Sequence, residues 1–487
     1  MKFSFYGGLF CVFLCITSLG QNQIPNFDFE KPERGSACGF QNWHTEDHLD
    51  KCLADSVNVY KGKYSIYISR NKPGGIGRFC QEMPFKCSEL KKFRISCFIK
   101  TRNLKEKYTG LSVKLYDKTG NMICHQNMAD LNINKTRSWK KYFIEFCADS
   151  TAEKVKISGL IYDSGEAWYD NIELVEIPFS TKKISPSINR YINEYFNIVR
   201  EKSLNRDSVY LNRLKADAKK LCAGNSKMSY CHAVLKGYVT WKLNDGHSFF
   251  KTSKEMKELA KGDNTLKDGL SAFAEGKMLD GRIAYIKIST FISLDSLLVN
   301  KYADSLQRLV AELDGGSPKG WIIDLSNNIG GNSWAMIAGI GPLLGNGIFG
   351  YSVSANGTRT ARIYRDGIAG WDNRVMVKKK DPFYIKNKDL PIAVIYGSET
   401  GSAGEVVAIA FRGIKNASSF GMKTFGVTTR VDNIRLSDGA FLNLACGVDA
   451  DRNNVSFGGK ISPDYPNDDY KSALNEAQKW ILENNNN

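Results

Sequence analysis

Histidine is scarce in this chain of 487 residues, which contains only five. Of these, only His232 and His247 fall outside the first third of the chain. A site that holds a metal ion through several histidines is therefore not expected, and any histidine catalysis must rest on a single imidazole. No CxxC pair and no cysteine–histidine spacing typical of zinc sites occurs either. The sequence thus predicts no metal and no cofactor.

Long apolar stretches are confined to the N-terminus. Met1–Gly20 has one early lysine, an apolar stretch and small residues near its end, which is the pattern of a secretory signal peptide. No other segment is a predominantly apolar run of the roughly 18 residues that a membrane span needs. We therefore predict an exported protein, secreted or periplasmic, with a signal cleaved near Gly20 and with no membrane span.

The phosphate-loop pattern GxxxxGK[ST] is missing from the C-terminal half as well. GxGxxG occurs there once, as GNGIFG at 345–350, but it follows the predicted helix SWAMIAGIGPLLG rather than a strand, which is not the arrangement of a dinucleotide-binding site. The formal net charge is +16, but the lysines are spread along the whole chain. Together with export, this spread argues against a nucleic-acid partner and favours attraction to an anionic cell surface or an acidic substrate.

Cysteine, in contrast, is abundant, with twelve residues, of which Cys11 and Cys15 belong to the signal segment. Export favours one or more disulfides among the others, and Cys222 and Cys231 flank a short loop across which they could pair. The first third of the mature chain holds an odd number, so these cannot all pair with one another: Cys38, Cys52, Cys80, Cys87, Cys97, Cys124 and Cys147.

The N-terminal part alternates apolar and polar positions in short runs such as KYSIYIS, FRISCFIK and AWYDNIELVEI. Turn residues separate the runs, as in an all-β sandwich. The phrase SGEAWYDNIELVEI resembles the last strand of jelly-roll, carbohydrate-binding-like modules. We predict such a domain at 22–178, with three aromatic side chains as candidates for sugar binding, although core packing is their favoured role: Trp43, Tyr60 and Trp168.

Behind the polar linker PFSTKKISPS, apolar residues recur every three or four positions, which predicts a small helical region over 186–262. From about residue 281, strands such as IAYIKIS, GWIIDL and LPIAVIY alternate with helical segments such as SWAMIAGIGPLLG and EVVAIAFRGI. This alternation predicts a multidomain chain that ends in an α/β layered core, 263–483, with a largely parallel sheet.

Two serines, Ser398 and Ser402, stand where the strand LPIAVIY turns into a helix, in GSETGSAGEVVAIAFRG. Ligands of open α/β sheets bind at the carboxyl ends of the strands. Glycine-rich backbone beside a helix-initiating serine offers N–H groups that can hold an oxyanion, at the positive end of the helix. The same pattern occurs in phosphate-binding loops and in plain turns, so the corner alone does not decide.

Five motifs in order carry a resemblance to a known family: LNDGHSFF, NNIGGN, TGSAGE, MKTFG and the run LSDGAFLNL…DRNN…GGKISPD. Over roughly residues 186–480 they resemble the C-terminal processing, or tail-specific, serine peptidases, and LNDGHSFF resembles the tricorn-type branch. The resemblance implies an α/β core of the ClpP/crotonase kind. Only about thirty-five residues separate His247 from the IAYIKIS strand, too few for the PDZ domain that other members carry.

The resemblance also implies roles for individual residues. It places the nucleophile on Ser402, with Ser398 as a less favoured alternative, and the general base on His247. It assigns the stabilisation of the oxyanion to the loop that starts at Asn328 and to the helix start, through the backbone of Gly330, Gly331 and Ala403.

Two positions depart from the family's patterns. Where the processing branch has a lysine base, this chain has Val427, and Lys423 precedes that motif, so a serine–lysine pair is disfavoured. Near the place where tricorn-like members carry the acid that orients the histidine, this chain has Phe457. Three nearby acids are candidates for that role: Glu405, Asp451 and Asp464.

We therefore expect an exported serine peptidase that cleaves a protein or peptide through a Ser402 acyl-enzyme. Because the orienting acid is missing, the alternative is a catalytically silent member that binds peptides in the same cleft and a glycan through the N-terminal domain. A third class is an esterase or amidase on the same site, since acyl-transfer chemistry does not by itself select peptide bonds.

Overall fold

The structure, a computed structural model, describes residues 24–47, 49–72, 75–104, 108–258, 274–280, 282–293 and 295–485. The predicted signal segment with Cys11 and Cys15 lies outside these residues. None of the helices described could cross a bilayer, given their lengths and polarity. The chain divides into two compact units, an N-terminal unit (Met1–Lys183 with Lys220–Asn225) and a C-terminal unit (Ile184–Lys219 with Ser226–Asn487).

In the part of the chain that the structure describes, the N-terminal unit contains ten strands. They are β1 (His44–Asp47), β2 (Lys51–Asp55), β3 (Ser65–Arg70), β4 (Ile76–Pro84), β5 (Lys91–Arg102), β6 (Thr109–Tyr116), β7 (Met122–Asn127), β8 (Arg137–Ala148), β9 (Lys154–Tyr162) and β10 (Gly165–Ile177). One antiparallel sheet has the order β1-β4-β9-β6-β7, and a second has the order β2-β3-β10-β5-β8. Apolar side chains from both sheets share one core. The predicted β-rich N-terminal part is confirmed, and its jelly-roll character stays a prediction.

Two of the three aromatics considered for sugar binding are buried in this unit. Trp43 is 3% exposed and donates its indole N–H to the Asn26 carbonyl at 3.2 Å. Trp168 is 2% exposed and donates to Asp55 Oδ2 at 2.7 Å. Only Tyr60 of the three is exposed, with its ring stacked on Phe98 at 3.5 Å between centroids. Core packing, the favoured role, therefore holds for both tryptophans.

The expectation of disulfides is wrong for the described residues, since all ten cysteines there are free thiols, Cys222 and Cys231 included. Eight of the ten are buried. Cys97, for example, lies in the core, where burial raises the pKa of its thiol well above the usual value. Cysteine serves here mainly as a small apolar side chain in the interior, a role that sequence spacing cannot distinguish from a bonded one.

The predicted helical region begins with α1 (Pro186–Lys202), α2 (Ser208–Cys222) and α3 (Met228–Val234). Ser185 caps α1 by accepting a hydrogen bond from the Ile188 N–H, and Pro186 occupies the first turn. After α3 the chain continues through a π turn (Leu235–Val239) and a 3-10 turn (Trp241–Leu243). Asn244 then adopts a left-handed conformation with φ 52° and ψ 41°, which ends the helical segment.

The C-terminal unit contains the predicted alternation of strands and helices. Its first sheet joins β12 (Ala274–Leu279), β13 (Ile283–Ile288), β14 (Gly320–Asp324), β19 (Ile392–Tyr396), β20 (Ala417–Gly421) and β23 (Tyr465–Pro466), in that order. The β12–β13 pair is antiparallel and all the others are parallel. The helices are α4 (Ser296–Gly315), α5 (Ser333–Leu344), α6 (Ala403–Phe411) and α7 (Tyr470–Asn484). The prediction that this core is of the ClpP/crotonase kind stays a prediction, as do the domain boundaries 22–178, 186–262 and 263–483.

A second sheet in this unit positions the histidine segment. Its strands are β11 (Phe249–Lys251), β15 (Gly347–Ser354), β16 (Arg359–Arg365), β17 (Ile368–Trp371), β18 (Arg374–Lys378), β21 (Thr429–Arg435) and β22 (Phe441–Asp451). The long strand β22 pairs antiparallel with β11, β15 and β21. Because β11 starts two residues after His247 and Thr429 opens β21, β22 brings these two residues to one place.

Candidate active site

Ser402 stands at a strained corner between β19 and α6. It is the N-cap of α6 and has φ 51° and ψ −113°, a conformation that costs a residue with a side chain about 1–3 kcal/mol. The turn before it is anchored by Thr400, which accepts a hydrogen bond from the Gly397 N–H and donates one to the Leu325 carbonyl, at 2.9 and 2.8 Å. The corner is therefore held in place by its neighbours rather than being a relaxed turn.

Glu405, one of the candidate orienting acids, holds this corner together. Its buried carboxylate accepts a hydrogen bond from the Ser402 N–H at 2.9 Å. It also accepts bonds from the Thr424 hydroxyl and from the N–H groups of Gly426 and Val427, at 2.6, 2.9 and 2.9 Å. Burial raises the pKa of Glu405, and these hydrogen bonds act in the opposite direction. Glu405 thus joins the Ser402 corner to the segment 424–427 and does not contact His247.

His247 lies between two hydroxyl groups. Its Nε2 is 3.0 Å from Ser402 Oγ, and its Nδ1 is 2.6 Å from Thr429 Oγ1. Asp245 accepts a hydrogen bond from the His247 backbone N–H at 2.9 Å, which fixes the turn before the ring. When Nδ1–H donates to Thr429, Nε2 is left as an acceptor for the Ser402 hydroxyl. The geometry therefore suits proton transfer from Ser402 to His247.

Burial lowers the pKa of His247, and the negative charges of Asp449 and Asp245 act against that effect. Asp449 is fully buried on β22 and forms an ion pair with Arg362 at 2.5 Å. Sequence reasoning missed both Asp449 and Thr429. Neither belongs to a motif, and the only signal available was that Thr429 closely follows the MKTFG motif.

The other candidate acids lie elsewhere. Asp451 accepts hydrogen bonds from the N–H groups of Asn453 and Val455 in its own turn, both at 2.9 Å. Asp464 accepts bonds from the N–H and the hydroxyl of Ser419, at 3.0 and 2.6 Å. None of Glu405, Asp451 and Asp464 touches His247, so the position sought for an acid is filled by a hydroxyl group.

The loop NNIGGN packs directly against Ser402. Asn328 accepts a hydrogen bond from the Gly401 N–H on its carbonyl, at 2.9 Å, and one from the Gly330 N–H on its side chain, at 3.0 Å. A Cβ at Gly330 would lie 2.9 Å from Ser402 Cβ, and one at Gly331 would lie 2.0 Å from the Phe291 carbonyl oxygen. Both glycines have a positive φ, 124° and 120°. Only glycine fits at these two positions.

The structure thus assembles Ser402, His247 and the NNIGGN loop, as the resemblance implied, at the carboxyl ends of β14 and β19. Ser398 is exposed in the same turn, but the His247 ring contacts Ser402 instead. Lys423 is exposed, and Val427 occupies the position at which the processing branch has its lysine. Of the two histidines outside the first third, His232 bonds Asp438 at 2.6 Å and is not part of this cluster.

The chain is similar to several known proteins. Residues 282–466, which include Ser402 and Thr429 but not His247, match the family model Peptidase family S41. A nisin-resistance protein of Lactococcus lactis subsp. lactis is 30% identical over 205 residues, which are 42% of this chain and 61% of that protein. The chain thus matches less than two thirds of the length of this curated relative.

Two solved structures are similar to the chain over more than half of its length. A lipoprotein from Streptococcus agalactiae has a TM-score of 0.50 and 25% identity, covering 62% of this chain and 98% of its own. A photosystem II D1 C-terminal processing protease has a TM-score of 0.42 and 14% identity, covering 58% and 94%. By its match to the family model, the segment 282–466 is a domain of peptidase family S41, the family of the C-terminal processing peptidases that the five motifs resemble.

Proposed function

We propose that this protein is a serine peptidase with Ser402 as the nucleophile and His247 as the general base. The observation that carries the proposal is the hydrogen-bonded chain from Ser402 Oγ through the His247 ring to Thr429 Oγ1, with distances of 3.0 and 2.6 Å. His247 Nε2 takes the proton as Ser402 Oγ attacks the scissile carbonyl, and then delivers it to the leaving amine. A water molecule, deprotonated by the same imidazole, releases the acyl group from Ser402.

Thr429 is the orienting partner of His247 in this proposal. Its hydroxyl holds Nδ1 and thereby selects the tautomer in which Nε2 can accept a proton. A hydroxyl carries no charge, so the imidazolium that forms is stabilised by the field of the buried Asp449, reduced by the Arg362 guanidinium bound to it. In this proposal Thr429 orients the His247 ring, and a different residue, Asp449, stabilises the positive charge that forms on it.

We assign the oxyanion contacts to the backbone N–H groups of Ala403 and Gly331. Ala403 is the first residue of α6, where an N–H has no acceptor within the helix and points toward the positive end of the helix dipole. Gly330 drops out of the set suggested by the sequence, because its N–H donates to Asn328 Oδ1. Its part is to let the loop approach Ser402.

Exposed apolar side chains beside the nucleophile favour peptide substrates with apolar residues near the scissile bond. Ile329 is 62% exposed and Phe425 is 59% exposed. Both residues lie next to Gly401, since a Cβ there would be 3.5 Å from the Ile329 carbonyl oxygen and from Phe425 Cβ. Nisin is the first peptide to test, because the curated relative is a nisin-resistance protein.

The experiment is to incubate the purified protein with nisin, with unmodified peptides rich in apolar residues and with simple esters, and to identify products by mass spectrometry. Ser402→Ala is the matched control. Cleavage of peptide bonds that is lost in the control supports the proposal. Hydrolysis of esters alone would favour the esterase alternative, and binding of peptides without turnover would favour the catalytically silent one.

The rate of hydrolysis is expected to depend on pH through His247. Because the neutral imidazole is the base and burial lowers its pKa below the ordinary 6.5, the acid limb of kcat/KM should lie below the limb of an unperturbed histidine. Asp449→Asn removes a negative charge that favours the imidazolium, so it should move the acid limb to still lower pH. Asp451→Asn, on the same strand but without contact to His247, should leave the limb unchanged; equal shifts in both variants would contradict the assignment.

Gly330→Ala is expected to lower kcat/KM by about 10²-fold, because its Cβ would displace Ser402, and a misplacement of ~1 Å can cost that much. Gly345→Ala is the control. Gly345 also has a positive φ, 73°, but a Cβ there meets no atom within 4 Å. Both variants should lose stability in thermal unfolding because of the positive φ, Gly330→Ala more because its Cβ also meets Ser402, whereas only Gly330→Ala should lose activity in the folded protein. Equal activities in the two variants would show that the loop does not support Ser402.

A further inference from the structure

Three different metal-binding groups lie together on one face of the β1–β4 strand pair in the N-terminal unit. They are His44 Nε2, a carboxylate oxygen of Glu46 and Cys80 Sγ, all within 4.8 Å of one another. His44 and Glu46 are two residues apart on β1 and therefore point to the same side, and Cys80 is the direct partner of His44 across the two strands. The cluster is distinct from the Ser402 site and lies in the other unit.

Two of the three separations are close to those of a tetrahedral metal site. Zinc–sulfur bonds of about 2.3 Å and zinc–nitrogen or zinc–oxygen bonds of about 2.0–2.2 Å put ligand atoms roughly 3.3–3.7 Å apart. His44 Nε2 is 3.1 Å from Cys80 Sγ and 3.9 Å from Glu46 Oε1. The third separation, from Cys80 Sγ to the Glu46 carboxylate, is within 4.8 Å, so a bound metal would draw these two side chains to the tetrahedral spacing.

Glu46 already has a cationic partner, the Lys156 ammonium, which a bound metal ion would displace. The Lys156 ammonium contacts Glu46 Oε1 and is also 3.5 Å from Glu82 Oε1. Glu82 Oε2 is bonded by Lys154 at 2.7 Å, so Glu82 Oε1 remains able to take Lys156. A metal ion that binds Glu46 would leave the lysine with a carboxylate partner rather than with none.

We propose that His44, Glu46 and Cys80 form a site for a thiophilic divalent cation, with zinc as the metal that best suits one sulfur, one imidazole and one carboxylate ligand. On binding, the Cys80 thiol loses its proton to solvent, the Cys80–metal bond forms, and Lys156 moves to Glu82. The His44 side chain is 51% exposed, so the fourth position is open to water.

A metal at this site would link the edge strand β1 to its neighbour β4. Among the described residues, strand β1 is the outermost strand of its sheet and pairs with β4 alone. A metal that bridges His44 and Glu46 on β1 to Cys80 on β4 would hold that edge, so metal binding should raise the thermal stability of the N-terminal unit. No sequence pattern indicates this site, because residues 44 and 80 come together only through the pairing of β1 with β4.

The test uses Co²⁺ and Zn²⁺ as probes on the full chain, prepared free of metal under reducing conditions. Co²⁺ bound by a thiolate gives a sulfur-to-metal charge-transfer band. The expected result is that this band saturates at one Co²⁺ per chain and disappears when Zn²⁺ displaces the cobalt. Cys80→Ser should abolish the band, and His44→Ala should weaken Zn²⁺ binding by at least about 100-fold, since loss of even a supporting residue often costs 10–100-fold. The exposed His44 offers a second variant if Cys80→Ser does not fold.

Two further variants distinguish a metal site from a polar cluster that only stabilises the fold. Lys156→Met removes the competing ammonium and should tighten Zn²⁺ binding by roughly tenfold. Cys87→Ser, a partly buried cysteine outside the cluster, should leave the cobalt band and the affinity unchanged. No band in the folded wild type, or a band that survives in Cys80→Ser, would overturn the proposal. Neither result bears on the peptidase activity.

Discussion

Ser402→Ala and His247→Ala are each expected to lower kcat for peptide hydrolysis by about 10⁶-fold, and the double variant should lose no more than either single variant. The reason is that the two groups act as one unit: without the imidazole, the hydroxyl 3.0 Å away has no base, and without the hydroxyl the base has no nucleophile to activate. The measurement is single-turnover hydrolysis of a cleaved peptide from the substrate panel.

Ser398→Ala is the matched control, because Ser398 lies in the same turn but does not contact His247. It should retain activity close to that of the wild type. A large loss in Ser398→Ala together with a small loss in Ser402→Ala would move the nucleophile by four residues and would contradict the assignment. Additive losses in the Ser402→Ala/His247→Ala double variant would show that the two groups act in separate steps.

Thr429→Val is expected to lower kcat by up to about 10⁴-fold, the loss seen when a triad histidine takes the wrong tautomer. Valine has nearly the shape of threonine but cannot accept the Nδ1–H at the position where Thr429 Oγ1 lies 2.6 Å from the ring. Thr429→Ser keeps the hydroxyl and should restore most of the activity. The comparison of kcat for the two variants, with circular dichroism as a check of folding, decides the role.

A merely structural role for Thr429 would give a different result. In that case Thr429→Val and Thr429→Ser would lower thermal stability and activity together, and the pH dependence of the remaining activity would match that of the wild type. Loss of kcat at unchanged stability, with recovery in Thr429→Ser, is the outcome that the hydrogen bond to His247 predicts.

Much of the C-terminal unit could be predicted from local patterns. Fully buried strands such as β14 and β19 are continuous apolar runs, and the helices α1 and α4 show amphipathic spacing. These elements could therefore be predicted without knowledge of tertiary contacts. The motif resemblance added the pairing of Ser402 with His247, two residues that lie far apart in the sequence and that the structure brings to 3.0 Å.

The remaining features of the site depend on contacts that no local pattern encodes. Thr429 reaches His247 only because β22 pairs with both β11 and β21. Glu405, three residues after Ser402 in the sequence, was a candidate for the acid that orients His247. Its position on the first turn of α6 directs its carboxylate instead to the Ser402 N–H and to segment 424–427. Asp449 belongs to no motif, and it influences His247 through a negative charge that the fold brings near the ring, which sequence composition does not reveal.

Cysteine shows the same limit in the N-terminal unit. The number of cysteines and the predicted export favoured disulfides, yet the structure describes ten free thiols, most of them buried. The position of a cysteine on a strand determines whether its thiol points into the core. Whether a second thiol lies opposite it depends on how the two sheets pack. For the same reason, the cluster of His44, Glu46 and Cys80 could be recognised only from strand register.

The most direct test of the central claim is labelling of the purified protein with a fluorophosphonate, followed by mapping of the adduct by mass spectrometry. An activated serine in a Ser402–His247 pair should carry one adduct per chain on Ser402, lost in Ser402→Ala and strongly reduced in His247→Ala. Folded wild-type protein that takes no adduct, or that carries the adduct on another serine, would contradict the proposal that Ser402 is a nucleophile activated by His247.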